Sequence, residues 1–345
     1  MRKLKMKLKI LLYVFAIGAI TLTACAGGND GAEGFSEEDR ITVTINSSTN
    51  TSFAPIYFAY AEGYFEDEGI DLEFVTINRG SDAIPALIAH DLDVFAGGIN
   101  AGFLNVLGQE QFLKIVADRG HISPEDQCDY QGLVLRKDLY DSGDFTGPED
   151  MAGLAIVSST SSNTGYFTSL YLAQAGLTFE DVSLVSLPGN SDIEAMANGS
   201  VDAVVTQDPT KLRIISDGNG VLFASGKEVY GDFQISILVF GESILVENRE
   251  AGVRFLKAYL RGVQQYNQGK TDRNIEILVE HTGESEEVLR NSCWVSINAD
   301  GWIDFEGKVE AFQQWSVEQG HLDAPITEEQ FWDPSLLQEA LEALE

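Results

Sequence analysis

The chain has 345 residues, with 54 Asp and Glu against 22 Lys and Arg and a formal net charge of −32. So acidic a chain is poorly suited to hold a phosphate backbone through counterion release, which argues against nucleic-acid binding and for a well-solvated monomer. A hydrophobic content of 44% excludes an acidic disordered tail, and the length suits about two domains.

Five of the basic residues, Arg2, Lys3, Lys5, Lys7 and Lys9, precede an uncharged apolar run from Ile10 to Leu22. The run is too short to span a bilayer comfortably, and its basic flank reads as a secretory signal peptide over residues 1–24. Leu22-Thr23-Ala24-Cys25 resembles the lipobox of bacterial lipoproteins. That resemblance implies cleavage before Cys25, lipidation of its thiol and attachment to a membrane through the lipid. Residues 26–39 are small, Gly-rich and acidic, so residues 25–40 are expected to tether a folded body. Cys128 and Cys293 then remain. They could form one disulfide in an oxidising compartment or stay as two buried thiols, and spacing alone does not decide.

The alternating, β-branched Ile41 to Ile45 predicts a strand, followed by a polar loop and a helix over Phe53–Phe65 with Pro55 in its first turn. Strands are expected at Asp71–Ile77 and Asp93–Ala96, with a helix through Ala89 capped at Ser81-Asp82. The order then recurs: a strand at Gly153–Val157, a polar loop at Ser158–Ser162, a helix at Asn163–Ala175, strands at Val182–Leu187 and Val201–Val205. The recurrence extends to residues, since the stretch from Ala86 to Asp93 lines up with that from Ala195 to Asp202. A repeat of about 110 residues fits two similar α/β domains with mainly parallel sheets better than a solenoid. The apolar segments Tyr130–Arg136 and Gln234–Phe240 are candidates to carry the chain between domains and back. Helices are expected at Ala251–Asn267, Arg273–Glu280, Val309–Val317 and Pro334–Leu344.

Phe53-Ala-Pro-Ile-Tyr57 and Ala61-Glu-Gly-Tyr-Phe65, followed by Gly69-Ile-Asp-Leu-Glu73, resemble the opening of nitrate/sulfonate/taurine-type solute-binding proteins. Gly80-Ser81 with Ala86-Leu87 and Asp93, Gly147-Pro-Glu-Asp-Met-Ala-Gly153, and Gln207-Asp208-Pro209 resemble later blocks of that family, over roughly residues 41–330. A subset of the family resembles the thiamine-pyrimidine biosynthetic enzyme, whose His and consecutive Cys residues have no counterpart here. The resemblance implies a type II periplasmic-binding fold: two α/β lobes joined by two crossover strands around a ligand cleft. The expected division is lobe 1 over 41–136 and 234–345 and lobe 2 over 137–233. It also implies an extracytoplasmic protein that delivers a small-molecule solute to an ABC permease.

In such a fold, ligands meet strand C-termini and helix N-termini. The candidate ligand-binding residues are therefore Thr49, Asn50, Phe53, Tyr57, Ser81, Asn100, Ser161, Asn163, Thr164, Gln207 and Asp208. Each has a plainer role open to it. Ser81 can cap a helix, Phe53 and Tyr57 at i, i+4 can be core, Asn100 can serve a tight turn, and Asp208 can cap the next helix. Arg79 is the only basic residue placed near the cleft. With aromatics and one acid at the mouth, the lean is towards a polar heteroaromatic or amino-bearing solute, with sulfonate or nitrate still open. The four His residues lack metal-ligand spacing, and no nucleophile elbow, P-loop or complete dinucleotide fingerprint is present. No catalytic residue, metal or cofactor is therefore expected. The alternative is a surface enzyme or sensor on the same scaffold acting on a pyrimidine-like molecule.

Overall fold

The computed structural model describes residues 35–36, 39–77, 82–109, 112–187 and 191–345. The expected signal peptide, Cys25, most of the tether, Arg79 and Ser81 lie outside the described residues. The body from Phe35 to Glu345 forms one compact unit built on two five-stranded sheets.

The first sheet contains β1 (Ile41–Asn46), β2 (Ile70–Val75), β3 (Val94–Gly98), β4 (Lys114–Ile122) and, from much later, β10 (Phe233–Phe240). Its order is β2-β1-β3-β10-β4. The second contains β5 (Gln131–Arg136), β6 (Ala155–Val157), β7 (Ser183–Val185), β8 (Ala203–Gln207) and β9 (Gly220–Ser225), ordered β7-β6-β8-β5-β9. In each sheet the first three strands are parallel and the fourth runs antiparallel to its neighbours. The fourth strand of each sheet follows directly on a crossing from the other sheet. Residues 123–130 make the first crossing and residues 226–232 the second.

The repeat read from the sequence is therefore a repeat of topology, and one device recurs in atomic detail. Asp93, just before β3, accepts a hydrogen bond from the backbone N–H of Thr44 at 2.8 Å. Asp202, just before β8, accepts one from Ala155 at 2.8 Å. Each carboxylate locks the central strand of its sheet to the strand beside it, β3 to β1 and β8 to β6. Without it, a strand N–H beside the first residue of the neighbouring strand would be left unpaired.

Residues 131–136, grouped with lobe 1 from the sequence, pair with β8 and β9 instead. The change of lobe falls earlier, in 123–130. The predicted helix over Phe53–Phe65 is two helices, Ala54–Ala61 and Tyr64–Asp67, broken at Gly63, whose φ of +75° suits a residue without Cβ. The helix at Ala101–Gln109 and the strand β4 were not anticipated.

The main core lies against the first sheet, and the C-terminal helices return to it. The 18-residue helix Arg249–Tyr266 packs Phe255, Leu256, Tyr259 and Val263 onto the helix Ala54–Ala61 and the sheet. Contact is close enough that a Cβ on Gly262 would lie 2.0 Å from the Pro55 carbonyl oxygen. The second sheet is buried on both faces. Leu133 and Leu135 of β5 face one cluster and Val134 the other, as strand alternation requires.

Candidate functional site

The C-terminal ends of β1 and β3 meet the end of β8 from the opposite sheet around a cavity of about 200 Å³. Asn46, Ser48, Asn50, Phe95, Arg119 and Gln207 contribute to its lining. Gln207 belongs to the second sheet and the others to the first sheet or the loop after β1, so the cavity lies between the lobes.

Its walls are held from behind. Asn46 laces β1 to β3, donating to the Ala96 carbonyl at 3.0 Å and accepting from the Ala96 N–H at 2.7 Å. Tyr57 donates its hydroxyl to the Ser48 carbonyl at 2.9 Å and fixes the loop that carries Thr49 and Asn50. Burial pushes the Tyr57 phenol above its ordinary range. Phe53 is fully buried and packs on Tyr57 with ring centroids 4.9 Å apart. Both aromatics thus support the wall, and the core role open to them from i, i+4 spacing is the one they play.

Four other candidates form a second contact between the lobes. The Ala101 N–H donates to the Ser161 carbonyl at 2.9 Å, and Asn100 and Ser162 form an antiparallel bridge. The Asn100 side chain accepts from Phe103 N–H at 2.9 Å, capping its helix. The Asn163 amide donates to the Ile235 carbonyl at 3.3 Å, from one lobe to the other. Thr164 accepts from the Ser159 N–H at 3.2 Å and shapes the loop that reaches across.

Asp208 is not at the mouth. It is 2% exposed, accepts from Cys293 N–H at 2.5 Å and from Leu212 N–H at 3.1 Å, and lies 3.5 Å from Lys211 Nζ. Burial raises its pKa and the Lys211 charge opposes that. Its carboxylate ties the end of β8 to the segment after the helix Glu286–Asn291. Cys293, whose N–H it engages, forms a disulfide with Cys128 of the first crossing.

Arg119 was missed by sequence reasoning. It is 1% exposed on β4 and lines the cavity. One guanidinium nitrogen donates to Ser52 Oγ at 2.9 Å, and the group lies 5.8 Å from the Phe53 ring centroid. Its Nε is buried without a hydrogen-bond partner, and among the described residues no carboxylate pairs with it. Burial lowers its pKa from the usual guanidinium value. The adjacent Asp118 is engaged elsewhere, accepting from Gly120 N–H, Gln234 Nε2 and Asn298 N–H at 2.7–2.9 Å. The side-chain amides of Asn50 and Gln207 likewise have no hydrogen-bond partner among the described residues.

Two larger depressions lie elsewhere. One of about 590 Å³ lies between the helices Asp272–Thr282 and Glu286–Asn291, and one of about 400 Å³ beside Arg136. Their cations are already paired, Arg290 with Asp272 at 2.7 Å and Arg136 with Asp202 at 2.8 Å. Polar groups left open by the fold converge in the interlobe cavity, and there the chemistry of recognition is concentrated.

The family model described as NMT1/THI5 like matches residues 50–268, well over half of the chain. The chain belongs to this family. A curated relative, YtlA of Bacillus subtilis (strain 168), is named as a binding protein and is 22% identical over 237 residues, 66% of this chain and 67% of its own length. Among solved structures, the ligand-binding component of an ABC-type import system from Staphylococcus aureus superposes with a TM-score of 0.73 at 16% identity, over 87% of this chain and 99% of that one. The periplasmic nitrate-binding protein NrtA of Synechocystis PCC 6803 gives 0.72 at 15% identity, over 89% and 90%. The NMT1/THI5-like chain therefore has the type II periplasmic-binding fold, two α/β lobes around a cleft. The desulfurization enzyme DSZB shares that fold, with a TM-score of 0.59 at 14% identity over 89% of this chain and 100% of its own. No helix among the described residues is long and apolar enough to cross a membrane.

Proposed function

We propose that this protein is an extracytoplasmic, lipid-anchored receptor that captures a small organic solute between its lobes and delivers it to an ABC importer. The observation that carries the reading is the interlobe cavity. It collects Arg119 and Asn50 from one lobe and Gln207 from the other, the two amides without a hydrogen-bond partner among the described residues, beside a seam where the lobes touch directly. Closing over a solute makes contacts that exist only in the closed form, which couples binding to lobe movement. The lobes are residues 41–122 with 233–345, and residues 131–225. Cys25 is the lipid attachment point and the protein acts as a monomer beside its permease.

An enzyme on the same scaffold is the second reading, favoured by the fold shared with DSZB. Mass spectrometry of small molecules released on denaturing the purified protein separates the two. A stoichiometric, chemically unaltered metabolite is expected. A molecule together with its conversion product, in a ratio that changes on incubation, would refute the receptor reading.

A further inference from the structure

Cys293 is a point at which three separate parts of the molecule meet. Its sulfur is bonded to Cys128 of the first crossing. Its N–H donates to Asp208, the residue after Gln207 at the end of β8 in the second lobe. Its carbonyl accepts from the Thr51 hydroxyl at 3.0 Å, next to Asn50 in the first lobe. Asn50 and Gln207 line the cavity from opposite lobes. One residue thus ties the backbone behind both cavity walls to the crossing between them.

The crossing around Cys128 is itself divided between the lobes. The Asp126 carboxylate accepts from Ser296 Oγ of the first lobe at 2.7 Å. Three residues on, the Asp129 carbonyl accepts from Lys211 and its carboxylate from Ser225, both of the second lobe. Cys128 therefore adjoins the end held by the second lobe, and its disulfide fastens that end to the first. With the two Cα atoms 5.7 Å apart, the cross-link limits how far Asp129 and the lobe attached to it can swing from Cys293. Cys128 is exposed, whereas Cys293 is buried.

We infer that the Cys128–Cys293 disulfide is a thiol-addressed latch on the lobes: intact, it holds them together over the solute, and reduced by a dithiol, it lets them part. The inference rests on the receptor reading, because what the latch regulates is retention in the interlobe cavity. The exposed member, Cys128, is the one a dithiol meets first. An attacking thiolate bonds to Cys128 Sγ as the bond to Cys293 breaks, and Cys293 leaves as a thiolate that takes up a proton. The second thiol of the reagent then closes on the first, and Cys128 leaves and is protonated in turn. Two electrons and two protons pass from the dithiol to the protein, and the dithiol becomes a disulfide. Asp208 and Thr51 still engage Cys293 after reduction, but each contact is a single reversible hydrogen bond. The covalent limit on the crossing is gone, and the second lobe is free to draw Asp208 away from Cys293.

The test uses the full-length protein in detergent, either oxidised or treated with millimolar dithiothreitol, and reads hydrogen exchange by mass spectrometry. The reporters are two N–H groups that bond across the lobes, Ala101 to Ser161 and Cys293 to Asp208. Reduction is expected under native conditions, with Cys128 the first thiol alkylated by iodoacetamide. Protection at both reporters is expected to fall about tenfold, the order of one hydrogen bond's net contribution. The amount of small molecule retained through desalting, read by mass spectrometry, is expected to fall about tenfold with it. Cys128→Ser is expected to match the reduced protein. Leu336→Ala, a cavity in the core of the first lobe with the disulfide intact, separates the latch from general destabilisation. It is expected to melt lower than wild type yet keep reporter protection within about threefold, since local opening at the lobe contacts differs from global unfolding. Reduction that proceeds only in unfolded protein, reporters that keep their protection when reduced, or an equal loss in Leu336→Ala would each overturn the inference. A small molecule retained equally in both redox states would remove this inference and leave the receptor reading standing. Reporters that open on reduction in a protein that carries no small molecule would support the latch and count against the receptor reading.

Discussion

Gly165→Ala is the substitution that most directly tests whether the seam between the lobes matters to binding. Gly165 lies in the first turn of the helix Asn163–Ala173, and a Cβ there would sit 1.9 Å from the Ser159 carbonyl oxygen and 2.9 Å from the Thr160 carbonyl carbon. Both are backbone atoms, so no side chain can swing aside. To restore a separation of even 3.0 Å, the loop must retreat by at least about 1.1 Å. The same loop holds the 2.9 Å hydrogen bond from Ala101 N–H to the Ser161 carbonyl, which that retreat would stretch to about 4 Å and break. Alanine gains about 1 kcal/mol of helix propensity, but overpacking costs about 1–3 kcal/mol and the lost bond about 1 kcal/mol. The net loss is about 1–3 kcal/mol. If closure draws on this seam, solute affinity falls about tenfold, equivalent to 1.4 kcal/mol. The assay is calorimetric titration of the stripped protein with its own released solute, alongside denaturant unfolding. Gly98→Ala is the companion variant for stability: its Cβ would meet the flexible Asn163 amide at 3.1 Å and the Ile235 carbonyl oxygen at an ordinary 3.5 Å, so it should destabilise the fold less than Gly165→Ala. Gly165→Ala with wild-type stability and affinity within twofold would refute the reasoning.

Three further outcomes are expected. Replacing Cys128 and Cys293 together by Ala opens a cross-link spanning 165 residues, for which loop-closure entropy gives about 5 kcal/mol at 25 °C, and chemical unfolding should show a loss of several kcal/mol. Asp208→Asn leaves Lys211 buried without its carboxylate and should cost about 3 kcal/mol, while solute affinity stays within threefold because the group is committed to Cys293 and Leu212. An affinity loss much larger than that would return Asp208 to the ligand contacts. Burial disfavours charge on His121, but the hydrogen bond and charge of Asp118 outweigh it, so its pKa lies above 6.5. The imidazolium therefore stabilises the fold fully below the unfolded pKa of about 6.5, and that contribution is lost as pH rises through the higher folded value. Stability should fall as pH rises above about 6.5, His121→Gln should flatten that dependence, and an NMR titration placing His121 below 6.5 would contradict it.

Much of the architecture is legible in the residues because both sheets repeat one pattern. The alternating apolar strand at Ile41–Ile45 is β1, and the aligned Asp93 and Asp202 do the same job in each lobe. The strand β4 escaped because Lys114, Asp118, Arg119 and His121 interrupt the apolar pattern by which strands are recognised. Two of those interruptions are buried polar groups with tertiary roles: Asp118 accepts from Gly120, Gln234 and Asn298 and pairs with His121, and Arg119 faces the cavity. The feature that hides the strand in the sequence is the one that builds the site. Asn50 and Gln207, which line the cavity, were legible as candidates because they lie in the loop after one strand and at the end of another, where the fold type concentrates ligands. Asp208 was misplaced since its partner, the Cys293 N–H, lies 85 residues away in sequence and only the packed structure brings the two together.

The most direct test of the account is a crystal structure of the protein with the solute it carries from the cell. The account predicts an unaltered small molecule in the cavity between the lobes, in contact with Arg119, Asn50 and Gln207. A solute bound in the groove between Asp272–Thr282 and Glu286–Asn291, or one in the cleft with no contact to Arg119, would contradict it.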